Sequence, residues 1–406
     1  MRILHTADWH LGKRLDDFSR LEEQRKVMQE ICEIAEQEAA DVVLVAGDLF
    51  DTFNPPTEAV ELLYKTLKQL SANGHRPVIA IAGNHDSPDR IEAPDPLARE
   101  CGILFAGYPH SRILPFALES GFRVLQSDEG FLELQLPGSL APLRILLTPY
   151  ANEYRIKTFL GLEESDEELR LILQERWQQL ADRYCDQKGV NILLSHLFVA
   201  RRGESLPEEP EEEKPILQVG GAQAIYSDNI PSQIQYTALG HLHRMHFVER
   251  HPSPVCYSGS PLSYSFAEAG QQKQVLLIDL DPGATAVVRE VPLTRSKRLL
   301  RKRATGIDEA LQWLTDNRDA LVELTIVTDS FLTSMERRTL EAAHPGIVAI
   351  IPEATGVGQV TEGQQKNIDL TKGMEALFHD YFRHVKGQDP NEEMMQLFHE
   401  ILAEEE

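Results

Sequence analysis

The sequence predicts an α/β fold, because short apolar segments alternate with segments of helical patterning. Two helical stretches, residues 19–38 and 56–72, separate the first three apolar segments. Strand–helix alternation of this kind is typical of a sheet with parallel strands. After Ile103 the segments come closer together, with turns at Gly121 and Gly130, so we expect antiparallel hairpins to join the sheet. Seven apolar segments have the aliphatic composition of strands covered on both faces: "RILHTAD", "VVLVAGD", "VIAIAGN", "LRILLTP", "VNILLSH", "YTALGH" and "QVLLIDL".

The 406-residue chain is too long for one typical core, and a second alternation of elements begins near residue 296. Its helical segments are "IDEALQWLTDN" and "SMERRTLEAAH", and its strand segments are "LVELTIVT" and "GIVAIIPE". We therefore expect a main domain at residues 1–295 and a small α+β domain at 296–356. Residues 357–406 are expected to form a linker and two amphipathic helices, which would pack on their own domain or on a partner protein.

Charge and cysteine content limit the classes of protein that fit. With 40 Lys and Arg against 64 Asp and Glu, the formal charge of −24 disfavours broad attraction to nucleic acid or anionic membranes. The one dense basic segment, residues 291–306, is interpreted as a linker or exposed strand, or as a contact for nucleic acid or an acidic partner. Four widely spaced cysteines predict neither a disulfide framework nor a zinc ribbon, so a reducing cytoplasm fits best. Neither a membrane span nor a signal peptide is predicted.

Five of the apolar segments end in polar side chains that can bind metals. In α/β sheets the carboxyl ends of the strands form the binding crevice, so we expect these side chains to meet there. Turn chemistry accounts for single Asp or Asn residues, but it does not require histidine. The candidate ligands are Asp8, His10, Asp48, Asn84, His196, His241 and His243.

The types of these side chains indicate which metals they would bind. Two carboxylates, one amide and four imidazoles form a mixed oxygen and nitrogen set that suits manganese, iron or zinc. The seven groups exceed the needs of one tetrahedral ion, so two ions sharing the Asp48 carboxylate are expected. Asp8 and His10 are two residues apart, and so are His241 and His243; on extended backbone each pair would point the same way. Such paired ions hold a phosphate and activate a water.

The ordered motifs D-x-H, G-D, G-N-H-D, a lone H and G-H-x-H resemble those of the calcineurin-like metallophosphoesterase superfamily. That resemblance implies a four-layer αββα sandwich that hydrolyses phosphate esters with two metal ions. The segments "ILHTADWHLGK", "VAGDLFDTFNPP", "AGNHDSP" and "ALGHLHR", followed by "YSGSP", are similar to the DNA-repair nuclease branch. The resemblance covers essentially the whole chain, although the part after residue 300 resembles the capping domain of that branch in element order only.

The resemblance also implies a role for each motif residue. His85 would be the general acid for the leaving oxygen, and Asp86 would orient it or would cap the helix that follows. Asp51 stands where some relatives have a histidine, so a substrate contact at this position stays open. The first metal would be held by Asp8, His10, Asp48 and His243, and the second by Asp48, Asn84, His196 and His241.

The implied function is that of a dimanganese DNA nuclease, with double-strand exonuclease and single-strand or hairpin endonuclease activity, in an ATPase-driven repair complex. Relatives of this branch work with a coiled-coil ATPase, for which residues 367–403 are the candidate docking segment, and they form homodimers. A bacterial, nucleoid-associated location in the cytoplasm is expected. Lys13, Arg14 and Arg244 are placed either to contact DNA phosphates or simply to carry surface charge. The alternatives are a phosphatase or small-molecule phosphodiesterase, and a non-catalytic scaffold that regulates the ATPase.

Overall fold

The computed structural model describes residues 1–150, 166–204, 225–328, 332–354, 377–378 and 395. The chain divides into two compact units, Met1–Glu353 and Ala354–Glu406. Residues 377, 378 and 395 are helical, and the rest of the predicted linker and C-terminal helices at 357–406 lies outside the described residues. Within the described part of the chain, no helix is long and apolar enough to cross a membrane.

Strands and helices alternate along the described chain. The strands are β1 Arg2–Thr6, β2 Arg14–Leu15, β3 Phe18–Ser19, β4 Val42–Ala46, β5 Val78–Ile81, β6 Ile103–Ala106, β7 Phe116–Ala117, β8 Arg123–Asp128, β9 Phe131–Gln135, β10 Leu143–Thr148, β11 Val190–His196, β12 Val199–Ala200, β13 Ile225–Tyr226, β14 Tyr236–Gly240, β15 His246–Glu249, β16 Val255–Tyr257, β17 Gln274–Asp279, β18 Val287–Pro292, β19 Leu299–Thr305, β20 Leu321–Thr328 and β21 Ile347–Ala354. The helices are α1 Leu21–Gln37, α2 Thr57–Leu70, α3 Pro88–Glu92, α4 Asp95–Ala98, α5 Asp166–Tyr184, α6 Ile307–Asp316 and α7 Ser334–Ala343.

Two large sheets organise the first 292 residues. The first has six strands in the order β18-β17-β1-β4-β5-β6, and β1, β4, β5 and β6 are parallel. The second has eight strands in the order β15-β16-β14-β11-β10-β9-β8-β7. Strands β10, β11, β14 and β16 are parallel, whereas β7, β8 and β9 form antiparallel hairpins. All seven predicted strands are confirmed, and hairpins follow Ile103 as expected.

The two sheets lie face to face between two layers of helices. Along β4, Val43 and Val45 pack with α1 and α2, whereas Val42 and Leu44 pack against the second sheet. Because both faces are covered, the strand is buried along its whole length, which accounts for its apolar sequence without alternation. On the outer face of the second sheet, Trp177 of α5 joins a third core. The expected four-layer αββα sandwich is therefore confirmed.

A third sheet, β19-β20-β21, packs with α6 and α7 around a core of its own. Its elements match the predicted α+β segment closely; for example, β20 covers the predicted strand "LVELTIVT". A small apolar cluster, in which Leu299 and Leu321 meet Leu15 and Phe266, joins this sheet to the sandwich. A domain boundary between residues 295 and 296 remains a prediction.

The basic segment at 291–306 contains the exposed edge of β19, and most of its cations meet internal carboxylates. These ion pairs favour a structural role for the segment over a nucleic-acid contact, because its positive charge is locally balanced. Because solvent screens exposed charges, each pair contributes little to stability. The pairs are Arg295–Glu33, Arg301–Glu323, Lys302–Glu309 and Arg303–Glu353.

Candidate metal centre

The carboxyl ends of five strands meet at one edge of the sandwich. In the first sheet, β1, β4 and β5 are parallel neighbours and end side by side. In the second sheet, β11 and β14 are parallel, with His196 opposite Gly240, and both strands lie against β4. Backbone hydrogen bonds also join the first two motifs: Asp8 N donates to Gly47 O at 3.0 Å, and His10 N donates to Asp48 O at 2.9 Å. The fold thus brings together the motifs that the sequence predicted would meet.

Asp48 lies at the middle of the cluster and is completely buried. Its Oδ2 is 3.5 Å from His10 Nε2 and 3.4 Å from His196 Nε2, so one oxygen faces imidazoles from both halves of the site. Its Oδ1 accepts a hydrogen bond from the backbone N–H of His85 at 2.9 Å. This is the position that a carboxylate shared by two cations requires.

Two groups of side chains flank Asp48. On one side, ligand atoms of Asp8, His10 and Asp48 lie within 4.8 Å of one another, and His10 Nε2 is 3.0 Å from His243 Nε2. This group matches the ligand set predicted for the first ion.

On the other side of Asp48, the amide oxygen of Asn84 lies 2.9 Å from His196 Nε2 and 3.1 Å from His241 Nδ1. Asp8 Oδ1 links the two groups by accepting a hydrogen bond from His241 N at 2.8 Å. The four side chains predicted for the second ion therefore also lie together.

The backbone at four of these residues is left-handed. The φ angles are 54° at Asp8, 41° at His10, 49° at Asp48 and 107° at His241. Our prediction that Asp8 and His10, and likewise His241 and His243, lie on extended backbone is wrong, because β1 ends at Thr6 and β14 at Gly240. The ligands lie instead in the turns beyond the strands. Left-handed non-glycine residues are uncommon, and they concentrate at functional sites where the surrounding structure holds them in place.

Gly47 allows the two sheets to approach closely at this edge. Its φ is +88°, and a Cβ atom there would lie 2.2 Å from His196 Nδ1. Glycine alone avoids both the strained φ and the steric clash.

The buried charges make the centre attractive to cations. Burial raises the pKa of Asp8, whose Oδ2 is buried and has no hydrogen-bond partner among the described residues. Burial lowers the pKa of His196, but the carboxylates of Asp48 and Asp8 outweigh this effect and raise it to about 9. A divalent cation would supply the positive charge that these carboxylates favour. The donor set and its electrostatics therefore fit a pair of divalent ions.

His85 lies beside the ligand groups and is held by main-chain contacts. Its Nδ1 is 2.8 Å from the carbonyl oxygen of Asp51, and because a carbonyl only accepts, Nδ1 carries the proton. The ring is half-buried and meets the His10 ring edge-on, with 4.8 Å between the ring centroids. His85 is thus fixed next to one of the candidate metal ligands.

Asp86 holds two motifs together through backbone contacts. Its carboxylate accepts hydrogen bonds from the backbone N–H groups of Leu49 and Phe50, both at 3.0 Å, and of Gly83 at 2.8 Å. The orienting contact to His85 that we predicted for Asp86 is made by the Asp51 carbonyl instead. The alternative role as a helix cap is also wrong, because Ser87 occupies the N-cap of α3. Burial, with the nearby charge of Asp48, raises the pKa of Asp86 to about 6.

Of the three predicted phosphate contacts, Lys13 has a different environment from the other two. Lys13 is buried, and its Nζ donates to Asp51 Oδ1 at 3.0 Å, so its charge is directed into the site. Arg14 and Arg244 are exposed, and their contact with phosphate remains a prediction. Lys13 therefore contacts the site through its ion pair with Asp51, rather than pointing to solvent.

Three residues at the site have contacts that motif spacing does not reveal. The carboxylate of Asp51 lies 3.6 Å from His10 Nδ1. Burial would raise the pKa of Asp51, but the contacts with His10 and Lys13 outweigh it and lower that pKa. Glu268 and Lys273 lie behind His243. The acidic and basic residues of "FAEAGQQK" were the only sequence signal for this pair, and such pairs are usually on the surface.

Comparison with known proteins assigns the family. The family model described as calcineurin-like phosphoesterase matches residues 1–245. The chain is 37% identical over 415 residues to SbcD of the nuclease SbcCD from Bacillus subtilis (strain 168), covering 99% of this chain and 98% of that protein. The proteins of the same name from Rhodobacter capsulatus and Staphylococcus epidermidis are 34% and 29% identical, covering 75% and 74% of this chain and 72% and 71% of theirs. The chain belongs to the calcineurin-like phosphoesterase family, in the group that contains the SbcD proteins of SbcCD nucleases.

Proposed function

We propose that this protein is a metal-dependent phosphodiesterase that cuts DNA as the nuclease subunit of an SbcCD-type complex. The observation that carries the proposal is the convergence of six other oxygen and nitrogen ligands around Asp48, with His85 beside them. Membership of the group that contains the SbcD proteins supports DNA as the substrate.

The cofactor is proposed to be a pair of divalent ions, with Mn²⁺ preferred. The mixed set of carboxylate, amide and imidazole ligands suits Mn²⁺ better than it suits Ca²⁺ or a thiophilic metal. When bound, two such ions hold a phosphate ester and lower the pKa of the attacking water. Asp8, His10, Asp48 and His243 would hold the first ion, and Asp48, Asn84, His196 and His241 the second.

His85 is proposed to be the general acid. Its Nδ1–H donates to the Asp51 carbonyl, and this hydrogen bond stabilises the protonated ring. The proton that the ring transfers to the leaving oxygen would then be the one on Nε2. Asp86 contributes by holding the turn after β4 against the turn after β5, which keeps Asp48 and His85 in register.

DNA and protein partners complete the proposal. Arg14 and Arg244 would contact backbone phosphates, which supplies affinity without sequence information. With a formal charge of −24, the chain would depend for further DNA affinity on a coiled-coil ATPase, docked through residues 367–403, and on homodimerisation. Such an enzyme would work on the bacterial nucleoid in the cytoplasm.

The test is Mn²⁺-dependent cleavage of end-labelled duplex and hairpin DNA by the full chain, with and without the ATPase. Asp48→Ala serves as the variant, and an aryl phosphomonoester as the second substrate. DNA cleavage that requires both Mn²⁺ and Asp48 supports the nuclease. Monoester turnover without DNA cleavage would indicate a phosphatase instead, and ATPase binding without any hydrolysis would indicate a regulatory scaffold.

A further inference from the structure

An ion pair between Glu268 and Lys273 lies behind the candidate ligand His243. Each residue is only 5% exposed. Glu268 ends a short 3₁₀ helix, Phe266–Glu268, and Lys273 directly precedes β17. Because the cost of removing two charges from water offsets their attraction, a buried ion pair is weak evidence for stability. Its position beside a metal ligand indicates another role.

Glu268 faces the ring of His243 on the side away from the centre. His243 Nδ1 is 3.4 Å from Glu268 Oε1, while His243 Nε2 lies 3.0 Å from His10 Nε2 inside the ligand cluster. The same Glu268 oxygen accepts a hydrogen bond from Tyr264 N at 3.1 Å, which fixes the carboxylate. The two nitrogens of His243 therefore have different partners: a carboxylate at Nδ1 and the centre at Nε2.

Lys273 secures both the carboxylate and the main chain of the ligand. Its Nζ contacts Glu268 Oε2 and donates to the carbonyl oxygen of His243 at 2.9 Å. It also donates to Ser260 Oγ at 3.0 Å. A single ammonium group thus ties Glu268 to the backbone of the residue whose ring Glu268 contacts.

The imidazoles of the two ligand groups differ in their outer partners. His10 Nδ1 lies 3.6 Å from the Asp51 carboxylate, as His243 Nδ1 lies near Glu268. In the other group, His196 Nδ1 donates to the uncharged carbonyl oxygen of Ala46 at 2.7 Å, and the Asp8 carboxylate is further away, at 3.9 Å. Carboxylate partners raise the basicity of a ligating imidazole, so His10 and His243 are built as stronger donors than His196.

We propose that Glu268 and Lys273 are positioning residues for His243, and that they act on only one of the two metal positions. Glu268 keeps the proton on Nδ1, which leaves Nε2 to bind the ion held with Asp8, His10 and Asp48. Lys273 neutralises Glu268 and holds it in place. This inference rests on the proposed dimetal centre and adds to it a difference between its two halves.

The test is a calorimetric titration of the metal-free full chain with Mn²⁺, comparing wild type with Glu268→Gln. One of two binding events is expected to weaken about 10- to 100-fold, with the other unchanged. Glu30→Gln is the matched control, because Glu30 is also buried and accepts hydrogen bonds from Thr294 N at 2.9 Å and Arg295 N at 3.0 Å. The control is expected to bind both ions as wild type does.

A double variant, Glu268→Leu with Lys273→Met, separates positioning from folding. Removing both charges leaves no unpaired ion in the core, so the variant is expected to fold, with a lowered Tm because Tyr264 N and the His243 carbonyl lose their partners. It should show the same selective loss of one Mn²⁺ site. Nitrogen NMR of the metal-free protein provides a second measurement: His243 should be protonated at Nδ1 in wild type and should be a mixture of tautomers in both variants.

The outcomes distinguish this inference from the function on which it rests. If wild type binds two ions and both Glu268 variants bind them with wild-type affinity and an unchanged His243 tautomer, the positioning role is overturned. An equal loss at both sites in a folded variant overturns the selectivity. If wild type itself binds no pair of ions, the dimetal proposal fails, whatever the tautomer of His243.

Discussion

His85 directs its Nδ1 at the main-chain carbonyl of Asp51, 2.8 Å away, so the proposed acid is held by the backbone of one residue. The side chain of that same residue serves a different part of the site, since its carboxylate meets Lys13 and faces His10. Position 51 therefore supports the general acid through its backbone and a metal ligand through its side chain.

Replacing Asp51 should separate these two tasks. Asp51→Ala retains the carbonyl that contacts His85 but loses the carboxylate beside His10. We expect Mn²⁺ affinity at the first position to fall about tenfold, with little change in the pH dependence of kcat. Titration with Mn²⁺ and a pH profile at saturating metal measure the two effects. A shifted pH profile with unchanged metal affinity would contradict the assignment.

Asp86→Ala should lower stability rather than alter the acid directly. The variant leaves three backbone N–H groups, those of Leu49, Phe50 and Gly83, without their acceptor. At about 1–3 kcal/mol for each buried unsatisfied donor, a loss of at least about 3 kcal/mol in the free energy of unfolding is expected. Urea denaturation measures it, and Asp86→Asn should lose less because its amide oxygen still accepts. If Asp86→Ala kept wild-type stability but lost catalysis, Asp86 would instead have the predicted role of orienting His85.

Gly47→Ala should disrupt the junction of the two sheets. The left-handed φ costs a non-glycine residue about 1–2 kcal/mol. The Cβ atom would also displace His196, since it would lie 2.2 Å from Nδ1. Gly138 is a matched control, with φ +74° and no atom within 4 Å of its Cβ position. Gly138→Ala should therefore be destabilised only by the strained backbone. Equal losses of Tm in the two variants would contradict a steric clash at position 47.

His5 should make stability depend on pH. Burial between the sheets lowers the pKa of His5 to about 3, and its Nδ1 lies 2.8 Å from Tyr236 Oη. Below the unfolded pKa of 6.5 the unfolded chain binds a proton that the folded chain does not bind until about pH 3. The stability contribution is thus fully present above pH 6.5 and is lost as the pH falls toward 3.

The size of this effect is measured by comparison with a variant. Between pH 7 and pH 5, His5 should account for about 2 kcal/mol of lost unfolding free energy. His5→Gln, which stays neutral, should lose correspondingly less over the same interval. Denaturant titrations of both proteins at the two pH values provide the measurement, and parallel pH dependences would exclude His5 as the cause.

Strands and candidate ligands were predictable from sequence because both depend on local composition. β4 is apolar along its length and β11 is buried along its length, since both faces are covered, and polar ligands end or directly follow such segments. The left-handed turns at Asp8 and His10 were not predictable, because tertiary contacts override the local preference for φ below zero. The partner of His243 was not predictable either, because Glu268 lies 25 residues further along the chain and no spacing rule connects the two residues.

The contacts of Asp86 and Lys13 illustrate the same limit. Asp86 has the sequence position of a catalytic neighbour or a helix cap, yet its carboxylate reaches back 37 residues to Leu49 N. Lys13 follows a metal-binding motif as a phosphate-binding lysine would. Its ammonium group instead forms an ion pair with Asp51, which lies 38 residues later in the chain. Residue types indicated the chemistry of the site, whereas the supporting contacts depend on which turns the fold brings together.

The most direct test of the account is the dependence of the His85→Ala defect on the leaving group. A general acid matters for DNA, whose leaving alkoxide needs a proton, and matters little for a nitrophenyl phosphodiester, whose leaving group departs as a stable anion. We predict that His85→Ala, with two Mn²⁺ still bound, loses DNA cleavage by about a hundred- to ten-thousand-fold. Its nitrophenyl ester hydrolysis should stay close to that of wild type. Equal losses on both substrates, with metal binding intact, would contradict the assignment of His85 as the acid.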